Sequence, residues 1–301
     1  MSNKFMRAAI CAVVLASTSA QAGNRTYLSR FGSDANACTD PLAPCVTFSK
    51  AIAVAATDGE VRCLDSGFFG TINITFSVAI MCEGNIGQTG FNFNTISLPV
   101  NNVAVLNGID IDMRNNSGPA LAISGAGTVL IHNSSIRKVS GNGLSIVPTG
   151  ALKMVINNTI LEGNTNLGMV VAPTGTGAAN IEIDGLTVGA GASGIATVAA
   201  TGTTVVMDIR NSKIAHGTAY DVIGSTTGGV SVIYMENSVV SDSPLGVFSV
   251  GANSYVLVAN SAIVGNNLGW GFSSGGALYS FGNNVFNNAA GGTASGTIPL
   301  Q

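Results

Sequence analysis

The phrase IHNSSI at 131–136 returns as VINNTI at 155–160, IRNSKI at 209–214, MENSVV at 235–240 and VANSAI at 258–263. Weaker copies are LNGIDI at 106–111, IEIDGL at 181–186 and SFGNNV at 280–285. With the last residue as anchor, the series is Ile111, Ile136, Ile160, Leu186, Ile214, Val240, Ile263 and Val285, spaced by 25, 24, 26, 28, 26, 23 and 22 residues. A recurrence of this length is a solenoid coil, not a helix period.

Two columns through this register show what each coil is made of. Five residues before the anchors stand Leu106, Ile131, Val155, Ile181, Ile209, Met235, Val258 and Ser280, nearly all apolar. The next residues are mixed and polar through the middle: His132, Glu182, Arg210 and Glu236 among them. Adjacent positions of opposite character mark a strand, whose side chains alternate between faces. Glu182, Arg210 and Glu236 read as a solvated ladder of alternating sign on stacked coils. Asn133, Asn157, Asn211, Asn237 and Asn260 recur three before the anchor, as tight bends require. A second strand opens on glycine after each anchor, as in Gly143–Ile146, Gly168–Val171, Gly194–Thr197, Gly246–Ser249 and Gly269–Phe272. The fold expected is all-β: a single-stranded right-handed parallel β-helix with a short N-terminal capping helix.

That helix is placed at 47–56. Phe48, Ala51, Ile52 and Ala55 share one face at i, i+3, i+4 and i+7, and Thr47 suits the N-cap. An open solenoid end exposes core and strand edge, so a cap is needed there. The chain divides into a signal peptide at 1–22, an N-terminal cap with a small disulfide loop and the capping helix at 23–59, and the parallel β-helix at 60–301. The signal rests on Lys4 and Arg7, the apolar run from Ala8 to Leu15, and the small-x-small ending Ala20-Gln21-Ala22. The apolar run is shorter than the ~20 residues a membrane span needs. Export to the periplasm or the exterior is expected, with no membrane span after signal cleavage.

Cys11 leaves with the signal. Cys38, Cys45, Cys63 and Cys82 remain, an even count that fits disulfides in an exported chain. Four cysteines allow three pairings. Cys63 and Cys82 precede turns in VRCLDSG and IMCEGN, at equivalent places on the first two coils. The pairing expected is therefore Cys63–Cys82, with Cys38–Cys45 closing a small loop. No His or carboxylate set accompanies these cysteines in sequence, so neither a metal site nor a cofactor is expected. Only 9% of residues are charged and the net charge is −3. Without a Lys/Arg cluster beyond Arg137-Lys138, binding to nucleic acid through phosphate neutralisation is not expected.

Residues 26–83 resemble the N-terminal segment of bacterial exported proteins with right-handed parallel β-helix repeats, the pectin-lyase-like superfold. The matching text is TYLSRFGSDANACTDPLAPCVTFSKAI, then GEVRCLDSGFFG and ITFSVAIMCEG. The coils at 101–287 match that superfold by pattern. Members include polysaccharide-cleaving enzymes, and the resemblance implies a search for their acidic clusters with a basic partner. Fold alone does not assign the activity.

Three groups of residues are candidates for a site. Asp110 and Asp112 form the single Asp-x-Asp and project from one strand face, with Arg114 beyond; no acidic partner is evident on the next coil. His216 and Asp242 each lie two past an anchor on consecutive coils, where a carboxylate can tune an imidazole. Lys138 and Glu162 occupy the same column and read as a surface pair. Phe248, Trp270 and Phe272 fall near the second strand of successive coils, either as a sugar-stacking platform or as filling of the last coils. The function expected is an exported scaffold without a catalytic site, binding polysaccharide or cell-surface material. The alternative is a polysaccharide lyase or glycoside hydrolase with an atypical site.

Overall fold

The computed structural model describes residues 24–90, 93–189, 191 and 193–299. The signal peptide lies outside the described residues. The chain winds as a parallel β-helix whose coils present three faces. In chain order, the first face carries strands such as Ala178–Asp184, Thr204–Arg210, Val230–Glu236 and Ser254–Ala259. The second carries short strands, Ile109–Asp112, Ser135–Arg137, Lys213–Ala215 and Val239–Ser241 among them. The third carries Leu167–Val171, Ser193–Ala200, Tyr220–Thr227, Leu245–Val250 and Leu268–Ser273. The second face is a sheet of ten strands, each parallel to the next.

Pairing fixes the register, and it differs from the sequence reading in three coils. The anchor column is Ile111, Ile136, Leu161, Val188, Ile214, Val240, Ile263 and Phe286. Its spacings become 25, 25, 27, 26, 26, 23 and 23, more even than those read from the sequence. Ile160 points outward and Leu161 inward, and Leu186 sits at a corner two residues before Val188. The inward column of the first face runs Leu106, Ile131, Ile156, Ile183, Ile209, Met235 and Val258, all buried.

Two of the three corners of each coil are built on recurring polar residues. The first lies between the first and second faces. Its left-handed position is held by Asn133, Asn158, Asn211, Asn237 and Asn260, with φ between 43° and 49°. Asn158, not Asn157, holds that place, as the shifted register requires. Asn tolerates this backbone because its short side chain bonds locally. Asn133 Nδ2 donates to Asn107 Oδ1 at 3.0 Å, and Asn211 Nδ2 to Asp184 Oδ1 at 2.7 Å. Just inside stands a buried hydroxyl column: Ser134, Thr159, Ser212, Ser238 and Ser261. Each donates to the backbone carbonyl two residues back, and Ser134, Ser212, Ser238 and Ser261 each accept an N–H from the preceding coil. The turn therefore leaves few buried polar groups unpaired.

The N-terminal end is closed by the helix Phe48–Ala55, with Thr47 as N-cap and Phe48, Ala51, Ile52 and Ala55 buried. Asp34 ties the preceding loop to it, accepting from the Val46 and Thr47 amides and the Thr47 hydroxyl. Stacking starts before the first complete coil, because Arg25–Leu28 pairs with Gly59–Cys63 on the first face. Cys63 bonds Cys82 across the first two coils, and Cys38 bonds Cys45. Both pairs are in an oxidised form that suits an exporting route. No helix among the described residues is long and apolar enough to cross a membrane.

Candidate functional site

The most developed polar cluster is built on the second face, around Asp110. Gln88, Asp110 and Ser135 stand in one outward column on three successive coils, one residue before the anchors. Asp112 and Arg137 stand in the next outward column, one residue after them. Period-two alternation puts all five side chains on one surface. Arg137 grips Asp110 at two points, Nε to Oδ1 at 2.9 Å and the terminal nitrogen to Oδ2 at 2.7 Å. Ser135 Oγ donates to Oδ1 at 2.5 Å, and Gln88 Nε2 to Oδ2 at 3.2 Å. The four donors occupy the accepting positions of the carboxylate.

Burial alone pushes the Asp110 pKa up. The hydrogen bonds from Arg137 and Ser135, the Arg137 charge and the Gln88 amide outweigh it and hold the carboxyl below its ordinary value. Arg137 is correspondingly raised, first by its bond to Asp110. Asp112 lies 3.6 Å from Arg137 and 3.8 Å from Lys138, and accepts from the Arg114 amide at 3.0 Å. Asp110 therefore does have a partner on the next coil, and it is basic. Beside it opens a cleft of about 410 Å³ lined by Asn85, Asp110, Asn133, Ser135, Arg137 and Asn158. Ile86 and Ile160 flank it, 55% and 43% exposed.

A smaller cleft, about 190 Å³, lies on the first face between Asn157, Glu182, Asp184, Asp208 and Arg210. Here the register corrects the ladder: Asp184, Arg210 and Glu236 share one column, and Glu182 and Asp208 another. Arg210 is held by Asp208 of its own strand. Among the described residues no group of three or more His, Cys, Asp and Glu is arranged to hold a metal ion.

His216 and Asp242 are both left-handed residues at the second corner, between the second and third faces, with φ 63° each. They stack on consecutive coils, and the His216 amide donates to Ser241 O at 3.1 Å. The Asp242 carboxylate is turned onto its own neighbour, accepting from Ser241 Oγ at 2.8 Å. Lys138, with φ 54°, keeps the column of His216 and Asp242, whereas Glu162 leaves it and stands opposite Arg137.

The three aromatics do not form one surface. Trp270 occupies the inward column with Val247 and packs on Phe286, ring centroids 4.6 Å apart. Phe248 lies outward over Gly271, where an added Cβ would stand 2.7 Å from its ring. Phe272 is 39% exposed at the last coil.

No protein-family model matches the chain, and no curated protein matches it. Among solved structures it is similar to the pectate lyase Pel9A, with a TM-score of 0.66 and 15% identity, covering 92% of this chain and 78% of that one. It is also similar to a rhamnogalacturonan lyase, with a TM-score of 0.59 and 11% identity, covering 85% and 75%. At these identities the likeness shows the fold: this is a parallel β-helix of the pectin-lyase-like kind.

Proposed function

We propose that the chain is an exported β-helix that binds glycan or cell-surface material without cleaving it. The observation carrying this reading is the state of Asp110. A general acid or base works best with a pKa near the working pH and with access to the reacting proton. Asp110 has the opposite character: it is ionised, four times hydrogen-bonded and locked to Arg137. A fixed carboxylate–guanidinium pair in a cleft with amides and exposed isoleucines suits recognition of a sugar's hydroxyls and CH faces. Two disulfides and neighbours named as polysaccharide lyases support export and a glycan partner. The second reading, a lyase or hydrolase, draws on those neighbours and on the carboxylates around Arg210.

The test is a panel of acidic and neutral polysaccharides incubated with the mature chain, recording binding together with new reducing or unsaturated ends. Binding without new ends is expected. Cleavage that disappears in Asp110→Asn, Asp208→Asn or His216→Ala overturns the proposal in favour of an enzyme.

A further inference from the structure

The three faces differ sharply in charge. The strands of the first and second faces carry Glu182, Asp184, Asp208, Arg210, Lys213 and the Asp110–Arg137 group, with many others. The third face, from Asn94–Leu98 to Leu268–Ser273, carries Asp221 alone, and that side chain is fully buried. Its outward residues are aliphatic, aromatic or hydroxylic. Val147, Val170, Val198, Ile223, Phe248 and Val250 lie on its outer side, while Ile146, Met169, Ile195, Val222 and Val247 point into the core. Residues that alternate inward and outward along a solvated strand are ordinarily apolar and polar. Here the outward side mixes aliphatic and aromatic residues with Thr95, Ser97, Ser124, Ser145 and Ser225 and carries no charge, the composition of an interface centre rather than of a solvated face.

We infer that the third face is an interface on which two copies of this chain pack back to back. The size fits. Eight strands at ~4.8 Å and five residues at ~3.3 Å make a face of roughly 38 by 16 Å, about 600 Å² per copy. Two such faces bury about 1,200 Å², the lower bound of a stable specific interface. The charge pattern fits as well, because interface centres are depleted of charge and rimmed by it. Lys153 and Asp184 on the adjoining first face and Lys138 and Glu162 on the adjoining second face supply such a rim. The inference stands apart from the glycan reading, whose cleft is on another face.

Sedimentation velocity of the mature chain tests it. A concentration-dependent dimer is expected below about 100 µM, as a contact of this size predicts. Val170→Lys with Val198→Lys should return the monomer with an unchanged circular dichroism spectrum, since both side chains point outward. Val206→Lys, similarly exposed on the first face, should leave the dimer intact. A monomer throughout that range, or a dimer that survives the double substitution, overturns the inference. So does a monomer whose third face instead retains it on an insoluble neutral polysaccharide, with retention lost in the double variant.

Discussion

The two corners that flank the second face of each coil solve the same problem with different chemistry. At the first corner the left-handed Asn and the buried Ser/Thr recur on five coils, with Gly108–Ile109 and Gly185–Leu186 in their place on two others, and both columns are uncharged. At the second corner three coils use an asparagine, Asn164, Asn266 and Asn288. Asn266 Oδ1 accepts from Ser243 N at 3.0 Å while its amide donates to Val240 O at 3.3 Å. Asn288 does the same one coil on, accepting from Asn266 N at 2.9 Å and donating to Ile263 O at 2.7 Å. One coil uses a carboxyl instead. Gly217 stands where those asparagines stand, and Asp221 stands in a column otherwise made of Gly168, Gly194, Gly246 and Gly269. Its carboxyl turns back into the vacated corner, accepting from Ser243 Oγ at 2.5 Å and Gly217 N at 3.3 Å. An amide donates and accepts, whereas a carboxylate only accepts. Asp221 Oδ2 is buried with no partner, and burial there favours the protonated acid.

That difference gives the largest expected effect. Burial pushes the Asp221 pKa from 3.8 up to about 7, against the hydrogen bonds from Ser243 and Gly217 and with help from the nearby Asp242. The unfolded chain releases this proton near pH 4 and the folded chain near pH 7. The folded state therefore holds more protons between those values, and its stability falls as pH rises through that window. At about 1.4 kcal/mol per unit the loss amounts to a few kcal/mol by pH 7 and then levels off. Asp110 acts with the opposite sign and lower down. Its depressed pKa adds stability above its ordinary 3.8 that is lost as pH falls through the folded value. Urea midpoints from pH 4 to 8 should show the decline in the wild type. In Asp221→Asn, which keeps the shape of the side chain and removes its charge, the curve should be flat and higher at pH 8. Parallel curves for the two proteins would sink this account.

The regular corner was legible in the sequence and the exceptional one was not. The anchor repeat, the Asn bends, the helix face at Phe48, Ala51, Ile52 and Ala55 and the cysteine pairs all follow from patterns of neighbouring residue type. Register failed where the pattern is degenerate. Ile160 and Leu161 are adjacent and both aliphatic, and a three-residue strand is too short for alternation to choose between them. In IEIDGL a shift of two residues keeps every side chain on its face, so Ile181 and Ile183 read alike. The Asp110 cluster was half visible. The next coil offers no acidic partner, and charge compensation places Arg137 there instead. Its signal is the column one past the anchor, where Asp112, Arg137 and Glu162 alternate in sign. Asp221 gave no signal, because the exchange of Gly217 for Asn and Asp221 for Gly is visible only with the corner in three dimensions.

The smaller effects probe the first corner. Ser212 Oγ accepts the Leu186 amide at 3.1 Å and donates to Arg210 O at 2.6 Å, fully within the protein. Ser212→Ala leaves a buried N–H unpaired and should cost about 1–3 kcal/mol, read as a lower urea midpoint at unchanged m. Unlike the Asp221 effect, this loss should be independent of pH, because no titrating group is involved. Asn211 should be milder still. Its φ of 49° is costly for an ordinary side chain, by about 1–2 kcal/mol, and its amide bond to Asp184 is exposed. Asn211→Ala should therefore lose about 1 kcal/mol, and Asn211→Gly, which takes that backbone freely, should lose less than Ala. If glycine is the worse of the two, the side-chain ladder rather than the backbone angle holds this corner, and the first corner is closer in kind to the second than its uncharged residues imply.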